Sequence, residues 1–236
     1  MTKQKIIFIC GTGRSGTNLI GKVISTHKEI DGRIEKPETF DLITQIATEQ
    51  NKEAIGENKK LLISRFNEIK KQTNNHILEK SHPALWLVEF LLNSIDESYF
   101  ICIKRDALPT ISSMLKHNGV LYWFKKLPND KENKFLGINR HNVDDYKNYS
   151  VEQKCYRRWL SHQNEITRLE NKYKDKVLSV KYEDFILDSD KILEKISDYL
   201  QIDNIFEIPC LDWSPLTKWE NELSSDQIDN IKEIGI

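Results

Sequence analysis

The segment Gly11-Thr-Gly-Arg-Ser-Gly-Thr17-Asn18 constrains this chain more than any other. It follows an apolar run, Ile6 to Cys10, and precedes a stretch that carries Leu19, Ile20, Val23 and Ile24 on one helical stripe. A glycine-rich turn between a strand and a helix aims backbone N–H groups and the positive helix end at a common point, which makes an anion site. The spacing fits the G-x-x-x-x-G frame of a phosphate loop, but Thr17 stands where such a loop has its lysine and Asn18 where it has the Mg²⁺-binding Ser or Thr. Kinase and NTPase chemistry leans on both of those groups. Here the cation comes from Arg14, inside the turn. Gly13, Arg14, Ser15, Gly16, Thr17 and Asn18 are therefore the candidate anion-binding residues, and a loop of this kind suits a phosphosulfate transferred without a metal.

Further along, short β-branched runs alternate with longer amphipathic segments, the pattern of an α/β fold with a parallel sheet flanked by helices. Strands are expected at Ile6 to Cys10, around Arg33 and Ile34 (ended by Pro37), at His76 to Lys80, Tyr99 to Lys104 and Val177 to Lys181. Helices are expected over about Asn51 to Asn75, where a charged face is solvated, after Pro83, over Asp106 to Lys116, around Trp159 to Tyr173, and around Ile192 to Leu200. From Asn118 to Tyr149 no period persists, which predicts a long loop, a functional segment or lid on the acceptor side. A chain of 236 residues with no visible linker predicts one domain over 1–236.

The balance of 35 basic against 36 acidic residues excludes a general nucleic-acid binder, so any anion site must be local. Cys10, Cys102, Cys155 and Cys210 form no C-x-x-C pair, which leaves no zinc or redox motif. No apolar stretch reaches signal-peptide length or the ~20 residues of a membrane span. A reduced, cytoplasmic protein that engages neither membrane nor nucleic acid is the expectation, and nothing sets its oligomeric state.

The run Phe8-Ile-Cys-Gly-Thr-Gly-Arg-Ser-Gly-Thr-Asn18 resembles the 5′-phosphosulfate loop of sulfotransferases that use 3′-phosphoadenosine-5′-phosphosulfate (PAPS), many of which have Lys or Arg at the place of Arg14. At the end of the fourth strand comes Lys104-Arg105-Asp106, with Ser113 eight residues after the arginine. This resembles the 3′-phosphate site of the same family. Ala107 departs from the proline common there, which affects only the turn. An arginine leaving the carboxyl edge of a parallel strand faces the ligand crevice, and its planar donor fork matches phosphate oxygens. Val180-Lys-Tyr182-Glu-Asp-Phe185 resembles a family stretch whose tyrosine lies near adenine, and Leu216-Thr-Lys218-Trp219 resembles a C-terminal segment whose basic residue helps close over the donor. The resemblance thus implies a P-loop-like, three-layer architecture, PAPS as co-substrate, no metal, and Arg105, Ser113, Tyr182 and Lys218 as donor contacts.

In-line sulfuryl transfer needs a base for the acceptor's proton and a cation for the charge building on the leaving phosphate. Lys80-Ser-His82 resembles the Lys-Thr-His of cytosolic sulfotransferases, where the histidine is the base and the lysine neutralises the bridging oxygen. With an ordinary pKa of about 6.5, histidine is poised for this role. Glu35-Lys36-Pro37-Glu38 resembles the segment that gives a glutamate base in sulfotransferases acting on polysaccharides, with the register open between Glu35 and Glu38. His82 is the first choice of base, Glu38 the second, and Lys80 acts with either. A small-molecule kinase is disfavoured by the loop and by Lys80 and Arg105 at strand ends where Mg²⁺ would want carboxylates. A non-catalytic nucleotide-binding relative stays open. The acceptor is expected to be a small molecule or a carbohydrate, met by Tyr122, Trp123, Phe124, Lys125, Lys126, Arg140 and His141 of the long loop.

Overall fold

In β1, Ile6–Gly11, every residue is buried, because the strand is covered on both faces. The computed structural model describes residues 3–49 and 51–235 of the chain. The expected domain over 1–236 includes residues 1, 2, 50 and 236, which lie outside the described residues. Beside β1 run β2 (Ile30–Ile34), β3 (His76–Lys80), β4 (Ser98–Lys104) and β5 (Val177–Lys181), all parallel, in the order β2-β3-β1-β4-β5.

Strand alternation sends Ile6, Phe8 and Cys10 to one face and Ile7 and Ile9 to the other, and each set seeds its own core. The first face is covered by α2 (Pro37–Thr48), α3 (Lys52–Gln72), α4 (Val88–Ser94) and part of α7 (Val151–Lys172), through residues such as Ile43, Phe66, Leu91 and Ile166. The second is covered by α1 (Thr17–Ile24), α8 (Tyr182–Leu187) and α9 (Ser189–Leu200), through Ile20, Val23, Phe185 and Ile196. The result is the parallel sheet flanked by helices that the alternating pattern implied, in the three-layer, P-loop-like architecture that the resemblance implied. Among the described residues, no helix is long and apolar enough to cross a membrane.

Three elements differ from expectation. Pro37 does more than end β2: it opens α2 at its first turn, where its missing N–H is no loss. A six-residue helix, α8, begins directly at Tyr182. The segment expected as a loop from Asn118 follows α5 (Ala107–Leu115) and starts with α6 (Asn118–Lys126), capped by His117, whose Nδ1 accepts from the Val120 N–H at 3.2 Å. Its remainder is tied down by a satellite core of Phe135, Leu136, Ile138 and Tyr146. The period was hidden because α6 buries only Val120 fully.

The strand order reverses around β1: the chain goes to β2 and β3 on one side and then crosses to β4 and β5 on the other. A crevice forms at such a switch point, outside the carboxyl ends of the strands. Register places Ile9 of β1 beside Lys80 and Gly11 beside Ile103, so the turn after β1 is flanked by the ends of β3 and β4.

Candidate active site

The turn between β1 and α1 is built for close approach. Arg14 and Gly16 have left-handed backbone, φ 78° and 91°, with Ser15 between them outside that region. Alternation of this kind turns successive N–H groups into one concavity that receives anions. Gly16 must be glycine: a Cβ there would stand 2.1 Å from the Tyr182 ring. Ser15 does not reach the concavity. It is fully buried, and its Oγ donates to the Thr12 carbonyl at 2.7 Å, bracing the turn from inside. Helix α7 braces it from below, where Gln163 Nε2 donates to Thr12 Oγ1 at 3.2 Å.

The turn forms the floor of a cleft of about 620 Å³. Of the residues singled out from sequence, Gly13, Arg14, Gly16, Thr17, Asn18, Lys80, His82, Arg105, Ser113, Tyr182 and Lys218 line it, and Ser15 and Glu38 do not. Arg105 is buried, and its guanidinium lies 4.5 Å from the centre of the Tyr182 ring, a cation–π contact. Its Nη1 donates to the Arg14 carbonyl at 2.9 Å and its Nη2 to the Pro215 carbonyl at 2.6 Å. Arg14 Nε donates in turn to Ser113 Oγ at 3.1 Å. The two expected anion sites are therefore adjoining parts of one bonded array. Trp159 of α7 fixes the array from behind, its Nε1 donating to the Arg105 carbonyl at 2.8 Å.

Across the cleft, Lys80, His82 and Glu35 form a second array. Lys80 is 2% exposed, and its ammonium group donates to Glu35 Oε1, while His82 Nδ1 lies 3.8 Å from the same oxygen. Glu35 is held at this position with left-handed backbone, φ 49°. Contact with His82, followed by Lys80, holds the Glu35 carboxyl down at about 2 against the opposing effect of burial. Burial lowers the Lys80 ammonium, and Glu35 opposes it. Burial likewise lowers His82 to about 4, helped by the charges of Lys80 and Arg158. Its ring is thus neutral at neutral pH. A Cβ placed on Gly13 would lie 3.4 Å from His82 Nε2, so Nδ1 looks to Glu35 and Nε2 to the turn.

The carboxylates divide by place. Glu38 is 48% exposed and ion-paired to Arg33, away from the cleft; its own backbone N–H, then Arg33, lowers its carboxyl. Glu79 is raised to about 7 by burial, yet it is spent on Thr39 Oγ1 and Ser81 Oγ inside β3 and the elements around it. Only Glu35 of these lines the cleft.

The remaining wall is mostly aromatic: Phe40, Tyr122 and Trp123, with His117 and Val120. Of the expected acceptor-side set, Tyr122 and Trp123 are on this wall, Phe124 packs into satellite cores, and Arg140 and His141 hydrogen-bond to each other elsewhere. Sequence reasoning passed over Phe40 and His117 because an aromatic at a helix start and a lone histidine carry no pattern.

The model of the sulfotransferase family matches residues 7–207 of this chain. No curated protein matches it by sequence. Among solved structures, the sulfotransferase domain of an olefin synthase from Synechococcus PCC 7002 is similar, at 14% identity and a TM-score of 0.62, over 100% of this chain and 96% of that one. The sulfotransferase domain from the curacin biosynthetic pathway is similar at 13% identity and a TM-score of 0.58, over 99% and 98%. A mouse sulfotransferase complexed with PAP follows at 16% identity and 0.53, over 99% and 84%. At such identities these likenesses concern the fold.

Proposed function

The chain belongs to the sulfotransferase family, and from that premise we propose that it takes the sulfuryl group of PAPS and passes it, by metal-independent in-line transfer, to a hydroxyl or amine of a small-molecule or carbohydrate acceptor. The observation that carries this reading is the junction of the two cationic sites: Arg14 and Arg105, 91 residues apart, are hydrogen-bonded at the floor of one cleft. A ligand with an anion at each end of an adenosine matches that array. Arg105 and Ser113 would take the 3′-phosphate, and the turn from Gly13 to Asn18, with Arg14, would take the 5′ end. Tyr182, with Arg105 over its ring, lines the cleft where the base would lie, and Lys218 lines it as well.

On the opposite side Lys80 would meet the charge that builds on the leaving oxygen, and His82 would receive the acceptor's proton at Nε2. Its depressed pKa keeps that nitrogen free, and Glu35 at Nδ1 stabilises the imidazolium that forms. His82 is favoured over Glu38 because the glutamate faces Arg33 outside the cleft. The aromatic wall of α6 and Phe40 is the acceptor side. A reducing, cytoplasmic setting is part of this proposal; in it the buried thiols of Cys10 and Cys102, 3.4 Å apart, would stay reduced.

The test is ligand preference followed by turnover. Adenosine 3′,5′-bisphosphate should raise the melting temperature more than ATP with Mg²⁺; the opposite preference would return the kinase reading. Sulfuryl transfer from PAPS should vanish in His82→Ala and persist in Glu38→Ala.

A further inference from the structure

Arg158, on α7, is the largest fully buried side chain among the described residues, at 0% exposure. Its guanidinium lies 4.4 Å from the centre of the Phe135 ring, and none of its three nitrogens meets a hydrogen-bond acceptor among the described residues. No carboxylate among those residues pairs with it either. The titratable groups that feel its charge are Cys155, Tyr146, His162, His82 and His117. Burial lowers its pKa to about 10, which leaves it charged at neutral pH. A buried, unpaired guanidinium is one of the costliest groups a core can hold, and an apolar side chain of similar volume in its place is often neutral or stabilising.

Its position explains why the fold carries that cost. A Cβ built on Gly13 would lie 3.7 Å from Arg158 Nη2. Gly13 itself lines the cleft, in the turn that receives the donor's 5′ end under the reading above. The guanidinium thus packs within contact distance of the turn at Gly13, yet it is fully buried and is not part of the cleft lining. Two other α7 residues already serve the same floor, Trp159 through the Arg105 carbonyl and Gln163 through Thr12.

We propose that Arg158 is a positioning residue for the donor: its buried charge, set beneath Gly13, is the counter-charge for the anionic group held on the cleft face of the turn. It acts through the backbone of the turn rather than by touching that group. In the ligand-free protein the charge is uncompensated, and the donor's 5′ end compensates it. The inference rests on the proposed function, since it assigns the turn to that end of the donor.

The two roles open to Arg158 predict opposite results in Arg158→Met. A counter-charge costs stability without ligand and gains it with ligand. The ligand-free variant should therefore unfold at the same or higher urea concentration than the wild type, while its affinity for adenosine 3′,5′-bisphosphate, measured by titration calorimetry, falls by about tenfold or more. Its affinity for adenosine 3′-monophosphate, which lacks the 5′ group, should not change. Arg158→Lys keeps the charge and should bind the bisphosphate more tightly than Arg158→Met. Bisphosphate affinity equal to that of the wild type in Arg158→Met would overturn the inference and leave the proposed function standing. Should Arg158→Met not fold, Arg158→Lys decides: equal losses for the bisphosphate and the monophosphate mean a packing role and also overturn it. A wild-type protein that ignores the bisphosphate removes the proposed function, and this inference with it.

Discussion

Replacing His82 with Gln should flatten the acid side of this protein's stability curve. Burial holds the folded-state pKa of His82 at about 4, against 6.5 for the free side chain. Between those values the unfolded chain takes up a proton that the folded one refuses, so stability rises with pH across that window. The contribution is complete above pH 6.5 and is lost as pH falls toward 4. Carried through the linkage relation, the shift makes the folded state about 2 kcal/mol less favourable at pH 5 than at pH 7.5. Glu35, held at about 2, keeps its charge throughout that range. The assay is urea denaturation of wild type and His82→Gln at pH 7.5 and pH 5.0. Other groups that titrate in the window, His76 among them, are common to both proteins and cancel in the double difference. The wild type should lose about 2 kcal/mol more than the variant. Parallel losses would refute the reasoning: His82 would then titrate near its ordinary value, and it would not be the neutral proton acceptor that the proposed function needs.

Two further variants probe the floor of the cleft. Gly16→Ala puts a Cβ 2.1 Å from the Tyr182 ring at a residue with φ 91°, so it should lower thermal stability by on the order of 2 kcal/mol, and an unchanged melting temperature would contradict the close packing of turn and ring. Arg105→Lys keeps the charge but cannot serve the Arg14 and Pro215 carbonyls as a fork while lying flat on Tyr182; calorimetry should show adenosine 3′,5′-bisphosphate binding about tenfold weaker, and equal affinity would mean that charge alone suffices there.

The parts of this molecule that were legible in its sequence are those governed by local rules. A strand buried on both faces reads as a continuous apolar run, as β1 does, and all five strands lie at or within a few residues of their expected limits. The glycine-rich turn was legible because a glycine at a left-handed position, Gly16, followed at once by the helix start at Thr17 is a local requirement. Contacts between distant segments were not. Glu35 and Glu38 look alike in the sequence, three residues apart, and only the start of α2 at Pro37 decides that one faces Lys80 and the other Arg33. The joining of Arg14 to Ser113 and Arg105 depends on β1 and β4 being neighbours, which strand order alone determines. Arg158 gave no signal at all, since a basic residue in a charged helix reads as solvated until the packing of Phe135 encloses it.

Each of the cleft-lining cations Lys80, Arg14 and Arg105 has a partner within the protein, and that sets how a donor must compete. Lys80 is bonded to Glu35, Arg14 to Ser113, and Arg105 to two backbone carbonyls and a ring. None of these is an ideal partner for a full positive charge except Glu35, which is partly exposed and held in a left-handed backbone. A hydroxyl or a carbonyl offers only a partial charge, so a phosphate oxygen arriving at Arg14 or Arg105 gains a charge-assisted bond while displacing a neutral one. At Lys80 the exchange is nearly even, carboxylate for sulfonate or phosphate. The physical consequence is a division of labour within one cleft. If the donor is the one proposed above, its binding energy would come chiefly from the Arg14–Arg105 side, and Lys80 would keep its counter-charge until negative charge builds on the leaving oxygen, where a shared ammonium group stabilises the transition state more than the bound ground state.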